Sequence, residues 1–408
     1  MARKISVGWL EIGEEERKAV NEVLDSGIIS EGPKTYEFER KWAEYIGVKY
    51  CVATSSGTGA LITTLTSLKY LYKLEKRLKV ITSPLTYISD VNAIVLSGFE
   101  PVFIDVDPRT FCITPKGIRD YLGTVENIQE HSIILSVDLM GYPVKSDEIH
   151  AIARENNLLV LEDAAQAHGT IYKGKKCGFE ADAAVFSFYV AHNIQVGEMG
   201  AIVTNNQDIY HISKKIKANG RFCECKLCTR QKGICLPYQS YAGEDDFDPR
   251  FFHEFIGYNF KTTEFQAAIA LAQLNKIGQI IKKRQENVEY LNSGLKELSE
   301  VFHLPLYSKD FSYLAYPLVI KNPHIISRKK LRHELEKRNV ETRPLFGCIP
   351  TQQPAYAYLK DAYMHKLPQA EYIGKNGFYI GCHQYLAKED LDCIINSIKE
   401  IILDSYNG

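Results

Sequence analysis

Between residues 47 and 205 the chain alternates short β-branched runs with amphipathic segments, and few architectures accommodate that rhythm. "KYCVAT", "LKVITS", "PVFIDV", "SIILSV", "LLVLED" and "AAVFSF" read as strands. "GALITTLTSLKYLYKL", "ISDVNAIVLSG", "TPKGIRDYL" and "KSDEIHAIARENN" read as helices between most of them. Strands that are apolar on both faces, separated by helical crossovers, imply a mostly parallel sheet covered on both sides. Functional groups are then expected at the strand ends and in the turns that follow them.

The pattern changes at 220–257, "GRFCECKLCTRQKGICLPYQSYAGEDDFDPRFFHEFIG", which is rich in Cys, Gly, Pro and acidic residues and has little periodicity. "TTEFQAAIALAQLNKIGQIIKKRQENVEYLNSGLKEL" resumes as one or two long helices, and shorter elements follow from about 300. We therefore expect a large domain over 1–290, carrying the 220–257 insertion, and a smaller C-terminal α+β domain over 291–408. The 408 residues are enough for both. With 49 basic against 50 acidic residues, nothing predicts a nucleic-acid or anionic-membrane surface. The opening "MARKISVGWLEIGEEERKAV" holds no apolar run of signal-peptide length, and no later stretch reads as a membrane span, so a cytoplasmic protein is expected. Six of the ten cysteines are scattered and read as small buried hydrophobes; the other four need a separate reading.

Three stretches carry candidate chemistry. "CVATSSGTGALITTL" is a strand running through a Ser/Gly/Thr-rich turn into a helix, which suits either a phosphate or an ordinary capped helix start. "LLVLEDAAQAHG" sets Asp163 at the end of an apolar strand, where a carboxylate needs a partner. A protonated pyridine nitrogen would serve, as would the N–H groups of a helix it caps. "AVFSFYVAHNIQVGEMGAIV" adds Ser187, His192 and a glycine-containing turn. Alone, His192 reads as a loop histidine satisfied by its neighbours.

Taken in order, these stretches and "SGIISEGPKTYEFERKWAEYIG", "SPLTYISDVNAI", "FIDVD", "GYNFKTTEFQAAIALAQL" and "RPLFG" resemble the DegT/DnrJ/EryC1/StrS sugar aminotransferase family, and the resemblance covers essentially the whole chain. It implies the type I pyridoxal-phosphate-dependent transferase fold of aspartate aminotransferase. It also implies that Gly57 and Thr58 cradle a cofactor phosphate, which Ser187 binds too. Tyr87 would stack on the cofactor ring, Asp163 would pair with its nitrogen, and Gln166 would lie close to it. Asn259 would reach a phosphate in a neighbouring subunit, which implies a homodimer, and Arg343 would lie near the substrate.

His192 stands where the family's aminotransferases carry the lysine that holds the cofactor covalently. Histidine cannot form that bond but can act as a general base near neutral pH. "SFYVAHNIQVGEMG" resembles a histidine-bearing subgroup, the pyridoxamine-phosphate-dependent nucleotide-sugar 3-dehydrases, with Met199 in place of a glycine. These enzymes remove the 3-hydroxyl of 4-keto-6-deoxyhexoses. The resemblance leaves open a glutamate-dependent, non-reductive dehydratase, and a cofactor-free binding or regulatory relative on the same fold.

The remaining cysteines, Cys223, Cys225, Cys228 and Cys235, fall within thirteen residues. Four thiols so spaced suit a metal, either Zn²⁺ or an iron–sulfur cluster. The iron–sulfur branch of the subgroup has a Cys-x-Cys pair at a matching distance beyond its histidine, and a [2Fe–2S] or [4Fe–4S] cluster here would imply an electron-donating reductase. That branch also takes a ligand directly after the ring-nitrogen aspartate region, where this chain has Ala165. Zinc would instead make the loop a staple.

Overall fold

The computed structural model describes residues 4–223, 225 and 251–407. All six expected strands form, and a seventh, Gly200–Thr204, joins them. Across the sheet the order is Tyr50–Thr54, Gly200–Thr204, Ala183–Ser187, Leu159–Asp163, His131–Val137, Lys79–Thr82 and Glu100–Phe103. Gly200–Thr204 runs antiparallel to both neighbours, and the other pairings are parallel. His131–Val137 is buried at every position, as a central parallel strand covered on both faces should be. The four helices expected between the strands form over Gly57–Tyr72, Ser89–Leu96, Pro115–Leu122 and Ser146–Glu155.

Gly200 opens the antiparallel strand for a steric reason. A Cβ there would lie 2.2 Å from the Ser56 carbonyl oxygen, so the strand can approach the turn before Gly57–Tyr72 only with glycine. The long helical stretch divides into Glu264–Leu274 and Ile277–Leu295. Beyond it a second, four-stranded antiparallel sheet runs Phe302–His303, Tyr316–Ile320, Gly377–Ile380 and Arg343–Pro344. The division proposed at 290 would fall within Ile277–Leu295, which packs against the C-terminal helix Lys388–Asn407.

One chain of contacts supports the site. The helix Pro33–Ile46 begins after Gly32 with no cap of its own, and Glu264 supplies one. Its carboxylate accepts the N–H groups of Gly32, Lys34 and Thr35 at 2.8, 2.7 and 2.9 Å and the Thr35 hydroxyl at 2.6 Å. An anion at a helix start is favoured both by the orphan N–H groups and by the helix dipole. That helix carries Trp42, fully buried, with ring centroids 5.0 Å from Phe186 and 5.1 Å from Phe188. These two phenylalanines flank Ser187, so the aromatic cluster fixes the backbone from which Ser187 and His192 project. Burying a tryptophan of this kind is worth about 3–5 kcal/mol on truncation.

Candidate active site

The sheet brings the expected residues to one edge. Asp163 ends its strand and Ser187 ends the neighbouring one, with Asp163 in register with Val185. Gly57 and Thr58 follow the strand Tyr50–Thr54, and Tyr87 follows Lys79–Thr82. All lie at the carboxyl ends of parallel strands, where an open α/β sheet places its ligands.

Gly57 starts its helix directly against Ser187. A Cβ on Gly57 would come within 2.6 Å of the Ser187 Cβ, so only glycine lets the helix start meet that strand end. Ser56 Oγ accepts the Gly59 N–H at 3.0 Å, and the Ser56 carbonyl accepts that of Ala60. Within the helix this leaves the Gly57 and Thr58 N–H groups without partners, next to the Ser187 hydroxyl. Such a cradle suits a phosphate.

Asp163 is buried, and its Oδ1 accepts the Ala165 N–H at 2.9 Å. Burial, and then the nearby Asp90 carboxylate, hold its acid well above the usual carboxylate range. Gln166 is anchored by its Oε1, which accepts the Met140 N–H at 2.9 Å, so its amide NH₂ is the end left to meet a ligand.

His192 is half-buried, and its Nδ1 lies 2.6 Å from the Ser187 carbonyl oxygen. A carbonyl only accepts, so Nδ1 carries the hydrogen and the lone pair resides on Nε2. Burial lowers the imidazole to about 4; the Ser187 carbonyl opposes that shift and the Arg284 charge adds to it. Arg284 is fully buried and donates to the carbonyls of Leu314 at 2.7 Å, Tyr313 at 3.2 Å and His192 at 3.4 Å. It thereby ties the His192 turn to the segment leading into the second sheet. Met199 fits without strain: its side chain is fully buried, its carbonyl accepts the Phe188 N–H, and the left-handed backbone of this turn falls at Gly197 instead.

The outer positions are more loosely joined. Tyr87 is exposed, with its ring centroid 5.9 Å from Phe346, so "RPLFG" does reach the site. Arg343, in the same segment, directs Nε and Nη2 to Glu341 at 3.3 and 3.2 Å. Asn259 is exposed and accepts from Lys261 Nζ at 2.7 Å. Cys223 is half-buried and Cys225 exposed, while Cys228 and Cys235 lie outside the described residues. Sequence reasoning passed over Asp90, Arg284 and Glu264. Only Asp90 carried a signal, the one acid in the mostly apolar "SDVNAIVL" helix.

Residues 10–399 match the family model described as the DegT/DnrJ/EryC1/StrS aminotransferase family. The chain belongs to this family. Among its relatives is the lipopolysaccharide biosynthesis protein RfbH of Salmonella typhimurium, 30% identical over 95% of this chain and 90% of that protein. Another is the dTDP-4-dehydro-2,6-dideoxy-D-glucose 3-dehydratase of Saccharopolyspora spinosa, 29% identical over 97% of this chain and 86% of that protein. A solved structure of E. coli GDP-4-keto-6-deoxy-D-mannose-3-dehydratase with bound hydrated PLP superposes with a TM-score of 0.84 at 26% identity, covering 97% of this chain and 99% of that one. The DegT/DnrJ/EryC1/StrS family thus includes sugar 3-dehydratases as well as aminotransferases, and the fold is the aspartate-aminotransferase type, with a mostly parallel sheet. The site fits the family's pyridoxal phosphate chemistry on its own geometry. It offers a glycine cradle beside a hydroxyl for the phosphate, and at Asp163 a buried carboxyl, without a cationic partner among the described residues, for the ring nitrogen. Among the described residues no helix is long and apolar enough to cross a membrane.

Proposed function

We propose that the protein is a pyridoxamine-phosphate-dependent 3-dehydrase acting on a 4-keto-6-deoxy sugar, with a nucleotide-linked sugar as substrate and His192 as general base. The observation that carries this reading is the His192 geometry: position 192 has no amine to hold a cofactor covalently, yet it presents an unprotonated Nε2 at the strand edge. Gly57, Thr58 and Ser187 would hold the phosphate, Asp163 the ring nitrogen, Tyr87 and Gln166 the ring, and Arg343 would sit near the sugar. When bound, the cofactor supplies an amine for the keto carbon and a ring that accepts an electron pair. The protein's part is to take a proton at Nε2, with Nδ1–H fixed on the Ser187 carbonyl so that the imidazole stays aimed. The Asp163 carboxylate keeps the ring nitrogen protonated, and the Trp42 cluster holds the base in register with it.

The same reading includes a homodimer, with Asn259 reaching across. Support comes from exposed apolar side chains in segments flanking it, Ile29 and Ile256. It also includes a metal at Cys223, Cys225, Cys228 and Cys235, for which we favour an iron–sulfur cluster fed by a reductase. The second reading, a non-reductive dehydratase with structural zinc, is favoured by Ala165, which leaves no thiol beside Asp163. The deciding experiment uses anaerobically purified protein. Iron, sulfide and zinc are quantified, and a 4-keto-6-deoxy nucleotide sugar is supplied with pyridoxamine phosphate plus either a chemical reductant or glutamate. Product lacking the 3-hydroxyl only with reductant, on protein with matched iron and sulfide, supports the reductive enzyme. Turnover with glutamate alone on zinc protein supports the second reading, and an aminated sugar with its 3-hydroxyl intact defeats both.

A further inference from the structure

Asp90 and Asp163 meet in the interior, and among the described residues no cation pairs with either of them. Asp90, in the helix Ser89–Leu96, is fully buried; its Oδ2 accepts the Thr86 hydroxyl at 2.5 Å, while its Oδ1 is buried with no donor. The group that interacts with Asp90 there is Asp163, whose Oδ1 is occupied by the Ala165 N–H. The other groups acting on the pair are the Thr86 hydroxyl and the carboxyl of Asp138, which adds negative charge. Two ionised carboxylates placed together in such a site repel and leave Oδ1 unsatisfied, so one proton between them removes both penalties.

We propose that Asp90 and Asp163 form a buried acid–carboxylate pair sharing one proton at neutral pH, in which Asp90 is the positioning residue that takes that proton and donates a hydrogen bond to the Asp163 carboxylate once a cofactor is bound. In the cofactor-free chain the shared proton supplies the donor that Asp90 Oδ1 lacks. When a pyridinium nitrogen approaches Asp163, the proton passes to Asp90 and Asp163 carries the negative charge, so the ring meets one oriented carboxylate. This second role rests on the proposed cofactor; the existence of the pair does not. Burial raises Asp90 to about 6 and Asp163 further, so in the cofactor-free chain at neutral pH the proton rests mainly on Asp163 and is donated to Asp90.

The test has two arms on the full-length chain. In the first, infrared spectra of the cofactor-free protein at pH 7 are recorded in H₂O and D₂O, and the wild-type spectrum is compared with Asp90→Asn and Asp163→Asn. Asp163→Asn should lose one deuterium-sensitive protonated-carboxyl band, and Asp90→Asn should shift that band as its acceptor is replaced; a band unchanged in both variants would overturn the pair. The second arm measures pyridoxamine phosphate binding by absorbance. Asp90→Asn, which keeps an N–H donor for Asp163, should bind within about threefold of wild type, and Asp90→Val should bind at least tenfold more weakly while unfolding cooperatively. Equal binding by Asp90→Val and wild type would overturn the positioning role. If the wild type itself binds no pyridoxamine phosphate, the proposed function fails while the infrared arm still decides the pair.

Discussion

Replacing His192 by asparagine removes one atom that matters and keeps another. The asparagine amide can donate to the Ser187 carbonyl as Nδ1 does at 2.6 Å, but it has nothing to offer at the position of Nε2. The turn should therefore stay in place, and pyridoxamine phosphate should bind within about threefold of wild type. Loss of a positioned general base typically lowers the rate by about 10²–10⁴-fold, or about 3–5 kcal/mol in the barrier. The assay is single-turnover loss of the 3-hydroxyl from a 4-keto-6-deoxy nucleotide sugar, followed by NMR. The wild-type pH profile tests the same residue from another side. The active base is the neutral imidazole, present above its pKa and lost as the pH falls through it. With burial drawing that value to about 4, the acid limb should lie below pH 5, well under the ordinary histidine range. Variant activity within tenfold of wild type would refute the base assignment, and a limb centred near 6.5 would refute the buried environment argued for the ring.

Three further perturbations separate the parts of the site. Gly57→Ala puts a Cβ within 2.6 Å of the Ser187 Cβ and should weaken pyridoxamine phosphate binding at least tenfold, measured by absorbance titration; unchanged binding would mean that the cradle lies elsewhere. Glu264→Ala strands three N–H groups at the start of Pro33–Ile46 and should cost about 2–4 kcal/mol in urea unfolding, whereas a loss under 1 kcal/mol would mean that water replaces the carboxylate. Replacing Cys223 and Cys225 with serine should abolish bound metal, read by elemental analysis, while leaving the far-UV spectrum unchanged. Retained stoichiometric metal would assign it to other ligands.

The sheet was legible because parallel strands buried on both faces read as continuous apolar runs, and each of the six is bounded by turn residues or a helix. Gly200–Thr204 escaped because "GAIVT" follows the active-site turn directly and its antiparallel pairing has no local mark. At the site, Asp163 and Ser187 could be placed from sequence because each ends a recognisable strand. Their partners could not. Glu264 caps a helix about 230 positions earlier, and nothing in "IIKKRQEN" separates the buried Arg284 from its solvated neighbours. Asp90 reads as a helix acid until the sheet order sets it beside Asp163. Local pattern reports which element a residue occupies, whereas the pairing of buried charges is decided by where distant elements cross.

Asp90 and His192 should bend the stability of the cofactor-free chain in opposite directions over the same pH range. The folded-state pKa of Asp90 is raised from 3.8 to about 6, so its contribution is fully present below the unfolded value and is lost as pH rises through about 6. That of His192 is lowered from 6.5 to about 4, so its contribution is present above the unfolded value and is lost as pH falls toward 4. Near pH 5 the native chain thus holds about one proton more than the unfolded chain at the first site and about one fewer at the second. One proton of difference tilts stability by about 1.4 kcal/mol per pH unit. In the wild type the two tilts oppose each other, and each variant releases one of them. Measured by urea unfolding between pH 4.5 and 5.5, stability of Asp90→Asn relative to wild type should rise with pH by up to about 1.4 kcal/mol per unit. That of His192→Asn should fall by a similar amount. Asp163, raised further still, stays protonated in wild type and Asp90→Asn alike over this range, so curves for both variants running parallel to wild type would show that neither residue exchanges its proton on folding as the geometry requires.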